Sequence, residues 1–304
     1  MTGTYRDHDR ARLWALLGDL PRQSAPPTVL SRRDSEADGY ALERLTLDLN
    51  GIQDVPAFFV RPLQGRGPWP CVIYNHSHGG YYDLGKRELI EGVSYQCKPP
   101  YAVDLTRRGY AALAIDHWAF GGRQGRGEMR TSFDMLWRGQ VMWGMMLYDS
   151  IRAIDYVQTR QDVDAARIGT LGMSMGSTMA WWLAAMDERV KACVDICCLT
   201  EFHTFEKAGG FHAPFYYVPG LLKHFTTAQI NGLICPRPHL ALAGFYDPLT
   251  PQDGLDIVER ELNSAYTAAG CAGNWRLLRY PVAHQETPQM RQEALDFLDR
   301  HLGA

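Results

Sequence analysis

The sequence has no hydrophobic run long enough to cross a membrane. Its most membrane-like stretch, Val141 to Tyr148, is eight residues between Arg138 and Asp149, far short of the ~20 apolar residues a spanning helix needs. Net charge is also slight: 31 Lys and Arg against 34 Asp and Glu leave −3 at pH 7, so no global field draws nucleic acid or an acidic membrane. Residues Met1 to Arg12 are polar and charged and lack the apolar run and small-residue cleavage site of a secretory signal, so a cytoplasmic location is expected. The seven cysteines, at 71, 97, 193, 197, 198, 235 and 271, lack the paired spacing of a zinc site or disulfide framework and read as reduced, mostly buried thiols. No repeat appears at periods of 20 to 50 residues.

What is present suits a globular protein. At 46% hydrophobic and 21% charged over 304 residues, the chain has material for a large core and one elaborated domain. Leu13, Trp14, Leu16, Leu17 and Leu20 predict an N-terminal helix over 7–20, stopped by Pro21, so residues 1–40 read as helix and linker. Leu42–Leu49 and Val55–Val60, joined through Asn50-Gly51, predict an antiparallel hairpin that opens a second region, 41–304.

From residue 70 short apolar runs alternate with helical stretches, the texture of parallel strands covered on both faces. Strands are predicted at Cys71–Tyr74, Ala111–Ile115, Ile168–Leu171, Val190–Ile196, Leu240–Gly244 and Trp275–Tyr280. Helices are predicted near 99–108, 133–160, 175–187, 251–268 and 287–302. The Gly-rich stretch Phe120 to Arg130, with Arg123, Arg126 and Arg130, reads as a solvated loop, with a substrate wall as the alternative. Residues 199–235, rich in Phe, Tyr, Gly and Pro, read as a cap-like insertion. The fold class expected is α/β: a mostly parallel central sheet flanked by helices, with an N-terminal hairpin and a cap.

The segment Ile168 to Met186 runs from a strand through Gly172-Met173-Ser174-Met175-Gly176 into an apolar helix. A sharp strand-to-helix turn needs small residues around it, and it lifts a serine hydroxyl to a helix N-terminus, where negative charge is favoured. Serine is a weak nucleophile without a base, and the base needs a carboxylate to fix its tautomer. Asp247 follows the strand ending at Gly244, and His284 lies in the loop after Tyr280, giving the order Ser174, Asp247, His284. Asp195, at another strand end, is the rival acid, with a buried, hydrogen-bonded aspartate as its plainer reading. The oxyanion donors expected are the N–H of Met175 and, from the loop Asn75 to Tyr82, that of His78, with Gly79 next.

His76, Asp116, His117, Phe202 and Tyr216 are expected around the substrate pocket, with Asp116-His117, at a strand end, bracing it. His76-x-His78 could instead be a metal pair, but no further Asp-His ligand group follows, so no metal is expected. Together these motifs, over about 41–302, resemble the dienelactone-hydrolase and acetyl-xylan-esterase-like branch of the α/β-hydrolase superfamily. Serine stands where true dienelactone hydrolases carry cysteine, and Met175-Gly176 where related acetyl-xylan esterases often have Gln-Gly. The resemblance implies the triad roles for Ser174, Asp247 and His284 and a cofactor-free hydrolysis of a carboxylic ester, of short acyl chain or of a sugar. An amide or peptide hydrolase on the same triad, and a non-catalytic ligand-binding relative, are the alternatives. The partner expected is a small-molecule ester, with no nucleic acid and no membrane; a homo-oligomer is left open.

Overall fold

A computed structural model of the chain describes residues 3–22 and 25–303. Residues 1–2 and 23–24 of the expected helix and linker, and residue 304, lie outside the described residues. Among the described residues nine strands form one sheet in the order β1-β2-β3-β5-β4-β6-β7-β8-β9. They are β1 (Thr28–Ala37), β2 (Tyr40–Asp48), β3 (Val55–Pro62), β4 (Trp69–Asn75), β5 (Ala111–Ile115), β6 (Val163–Met173), β7 (Val190–Ile196), β8 (His239–Gly244) and β9 (Trp275–Tyr280). From β5 across to β9 every pairing is parallel, whereas β1, β2 and β3 run as an antiparallel meander joined to β5.

The predicted hairpin is thus two strands of a three-stranded meander, and part of the predicted linker is β1. That strand is almost wholly exposed; its Arg32, Arg33, Asp34 and Glu36 charge the sheet edge, a device that discourages pairing with another chain. Inside the sheet the opposite holds. β5 and β8 are buried along their whole length, as strands covered on both faces must be.

The helices are α1 (Gly3–Leu16), α2 (Glu88–Glu91), α3 (Tyr101–Arg107), α4 (Glu128–Leu136), α5 (Met142–Gln158), α6 (Met175–Met186), α7 (Phe202–Lys207), α8 (Leu221–His224), α9 (Thr227–Gly232), α10 (Gln252–Ala268) and α11 (Pro288–Leu302). Strand alternation divides the core between the two faces: Cys71 and Ile73 pack with α1, α5, α6, α9 and α10, and Val72 and Tyr74 with α2, α3 and α11. Among the described residues no helix is long and apolar enough to cross a membrane. All seven cysteines are free, five of them buried.

Two expectations need correcting. The single helix predicted over 133–160 is broken into α4 and α5, because Gly139 turns with a positive φ and its carbonyl accepts the Asp19 N–H. Phe120–Arg130 is not simply solvated: Arg123 is buried and ion-pairs with Asp149 at 2.8 Å, while Arg126 and Arg130 meet Asp134 at the surface.

Candidate active site

β4 lies between β5 and β6, so strand order reverses there and the loops leaving the carboxyl ends of β4 and β6 border a crevice. Such switch points are where open α/β sheets bind ligands. The loop after β4 carries His78, and the turn after β6 carries Ser174.

Ser174 has φ +59° and ψ −123°, a conformation L-residues avoid, and caps the start of α6. Its N–H donates to the Ile196 carbonyl at 2.9 Å. The flanking glycines follow from packing. A Cβ on Gly172 would strike the Gly176 carbonyl, and one on Gly176 would strike the Asn75 carbonyl, so the elbow presses against both itself and β4.

His284 Nε2 stands 2.9 Å from Ser174 Oγ, and its Nδ1 stands 2.7 Å from an Asp247 carboxylate oxygen. The other Asp247 oxygen accepts the Leu249 N–H at 2.9 Å. The three residues predicted from separate strand ends therefore meet in one hydrogen-bonded line. Asp195 does not join it: its carboxylate, raised in pKa by burial, is 2.6 Å from His239 Nε2 and accepts from Ser177 Oγ at 3.3 Å.

The Met175 and His78 amides have no protein acceptor among the described residues. The peptide bearing the His78 N–H is held through its carbonyl, which accepts a hydrogen bond from His76 Nδ1 at 3.0 Å; His76 Nε2 accepts the His117 N–H at 3.2 Å. These two bonds fix the His76 tautomer. Burial pushes His76 down to about 4, so it is neutral. The His78 ring turns aside: Nδ1 accepts the Gly80 N–H, and Nε2 bonds the Tyr82 hydroxyl at 3.0 Å.

His76, expected around the pocket, is fully buried, as are Asp116 and His117, the pair expected to brace it. Asp116 pairs with Lys86 at 2.7 Å and accepts the Gly122 N–H at 2.9 Å, bracing two loops. The His117 ring lies tilted, 4.8 Å from that of His76, and burial drives its pKa well down.

Residues 199–235 lie between β7 and β8. Phe215 brings this segment to within 5.7 Å, ring to ring, of His78. The Tyr216 hydroxyl reaches Thr178 Oγ1 at 3.3 Å, one helical turn beyond Ser174. Phe202 and Tyr216 line a cavity of about 260 Å³ with Phe205, His212, Val218 and Leu221. Sequence reasoning passed over His212, whose ring stacks 4.3 Å from both Phe205 and Tyr216. It also passed over Glu88 and Tyr95, which bond Ser77 in the loop after β4. A histidine within an aromatic run was the only local signal.

The model of the acetyl xylan esterase family (AXE1) matches residues 5–229. The chain belongs to this family. The match takes in the Ser174 elbow and the His78 loop but stops before Asp247 and His284. "Putative hydrolase YtaP" of Bacillus subtilis (strain 168) is 48% identical over 299 residues, covering 98% of this chain and all of that protein. Among solved structures, a "putative acetyl xylan esterase" of Bacteroides fragilis NCTC 9343 superposes with a TM-score of 0.71 at 19% identity, over 91% of this chain and 74% of the other. An acetyl xylan esterase from Paenibacillus sp. R4 gives 0.66 at 18% identity, over 98% and 94%. As a member of the acetyl xylan esterase family with the α/β-hydrolase fold, the chain is an ester-bond hydrolase.

Proposed function

We propose that this ester hydrolase works through Ser174 as nucleophile, His284 as general base and then general acid, and Asp247 as the group that holds the imidazole. The observation that carries the reading is the continuous line from Ser174 Oγ through both His284 nitrogens to Asp247, at 2.9 and 2.7 Å, on a strained elbow. Ser174 Oγ attacks the ester carbonyl carbon while its proton passes to His284 Nε2. The carbonyl oxygen becomes an oxyanion and takes hydrogen bonds from the Met175 and His78 amides. Collapse expels the alcohol, which leaves with the proton from His284, and an acyl-enzyme remains. Water then repeats the sequence and frees the acid. Nucleophile, base and donors all come from the chain, so the reaction calls for no cofactor.

The substrate we infer is a short-acyl ester of a sugar. In support, the family is named for acetyl xylan esterase and the Paenibacillus structure is named as one, and exposed Phe211, Tyr217, Phe245 and Tyr246 offer flat faces for a sugar ring. A fluorophosphonate should label Ser174 in the folded protein, and p-nitrophenyl acetate and acetylated sugars should be cleaved. Ser174→Ala should lose at least about 10⁴-fold in kcat. Folded, unlabelled wild-type protein would refute the assignment.

A further inference from the structure

The stretch from Glu88 to Tyr101 takes no part in the chemistry above, yet it grips both loops that do. Glu88 is buried. One carboxylate oxygen accepts the Ser77 N–H at 2.9 Å and the Ser77 hydroxyl; the other accepts the Tyr74 hydroxyl at 2.7 Å and the Gln96 amide at 2.8 Å. Four donors match the acceptor capacity of a carboxylate and oppose the burial, which still leaves this carboxyl raised. Ser77 is thereby held on both sides. Its N–H is bound by Glu88 and its carbonyl by His76, so the peptide plane that carries the His78 N–H has little freedom to turn.

Tyr95 extends the grip to the histidine loop. Its hydroxyl bonds Ser77 Oγ and occupies the space that a side chain on Gly79 would need. Its ring lies 6.1 Å from that of His284, and its carbonyl accepts the Glu286 N–H at 2.8 Å, two residues beyond that histidine. Glu286 is itself fixed by the Cys97 N–H at 2.8 Å and by Arg291 at 2.7 Å. One segment therefore ties the oxyanion loop after β4 to the base-bearing loop after β9, two parts of the chain separated by about 200 residues.

We propose that Glu88 and Tyr95 are positioning residues of the hydrolytic site: through Ser77 they aim the His78 N–H at the oxyanion and set its distance from His284. The proposal rests on the roles given to Ser174, His284 and the His78 amide. Neither side chain touches substrate. Both act through the geometry of a donor that must be in place before charge develops, where a displacement of about 1 Å can cost about 100-fold in rate.

Tyr95→Phe and Ser77→Ala each delete one hydroxyl, and Glu88→Gln removes the charge while keeping the shape. With p-nitrophenyl acetate, kcat should fall about tenfold in Tyr95→Phe and Ser77→Ala and about 100-fold in Glu88→Gln, with KM held within about twofold. A phenylboronic acid forms a tetrahedral adduct with an oxygen at the oxyanion position, and its affinity should fall in step with kcat. A purely structural role would instead lower the melting temperature and leave kcat and boronate affinity in the folded fraction unchanged. Should Glu88→Gln fail to fold, the two hydroxyl deletions decide. Wild-type kcat and boronate affinity in both overturn the proposal. Failure of the underlying assignment has a different signature, which overturns the proposal as well: wild-type protein escapes phosphonate labelling at Ser174, and Ser174→Ala keeps its activity.

Discussion

The floor of the site and the segment above it are built from different forces. On the floor, the loops after β4, β6, β8 and β9 are tied by hydrogen bonds such as Ser174 to His284, His284 to Asp247 and Ser77 to Glu88. Above it, residues 199–235 meet the floor mainly through rings: Phe215 on His78, and Tyr216 stacked 5.2 Å from Trp143. His212 sits within that aromatic group with Nε2 buried and lacking a partner among the described residues. Burial, with His284 and His78 nearby, pushes it down to about 4. Hydrogen bonds fix donors and acceptors in the narrow geometry that proton transfer needs, while ring contacts are broad and tolerant. On the proposed mechanism we assign the chemistry to the floor and selection of substrate shape to the segment above.

The sharpest way to break that division is to exchange the two buried acids. Asp247→Asn should leave the fold intact and lower kcat about 10⁴-fold, because the amide favours the wrong His284 tautomer. Asp195→Asn should do the reverse. It weakens the buried pair with His239, so unfolding free energy should drop by about 3 kcal/mol while kcat in the folded protein changes little. Steady-state kinetics beside denaturant titration of both variants checks this. A large kcat loss confined to Asp195→Asn would reassign the acid.

Acid should loosen the floor through His76. Its folded-state pKa of about 4 lies below the ordinary 6.5, so between these values the unfolded chain binds more protons. The stability contributed by neutral His76 is complete above pH 6.5 and lost as pH falls toward 4, by up to about 3 kcal/mol. Glu88 and Asp195, both raised by burial, act in the opposite sense: their contribution is present at low pH and lost as pH rises through their folded values. The His76 effect is therefore isolated as a difference between proteins. The advantage of wild type over His76→Gln in unfolding free energy should shrink from pH 7 to pH 4, and equal pH slopes would show that the imidazole does not stay neutral in the fold.

The floor was legible because each residue of its hydrogen-bonded line carries a local signature. Gly172 and Gly176 mark the elbow, Asp247 follows a fully buried strand, and His284 precedes the Thr287 cap of α11. Where the signature is absent, reading failed for physical reasons. β1 pairs with β2 alone and faces water, so nothing in Thr28–Ala37 needs to alternate. Asp116 and His117 read as a brace from their strand-end position, but whether a neighbour such as His76 points up into the pocket or down into the braces is decided by loop packing. Glu88 and Tyr95 acquire their roles from Ser77 and Glu286, partners whose proximity no short pattern encodes.

The smallest effect expected bears on the tolerant half of the comparison. Phe202 is partly buried, touches the Trp181 ring at 6.0 Å and lines the 260 Å³ cavity without reaching the hydrogen-bonded line below. Phe202→Ala removes apolar surface worth about 1–2 kcal/mol to a bound ring. With acetylated sugar or aryl esters, KM should therefore rise about tenfold while kcat stays within about twofold. With methyl acetate, too small to fill the cavity, both constants should stay near wild type. An equal loss on both esters, appearing in kcat, would mean that the aromatic segment holds the reacting groups as firmly as the floor does, and the division between chemistry and selection would fall.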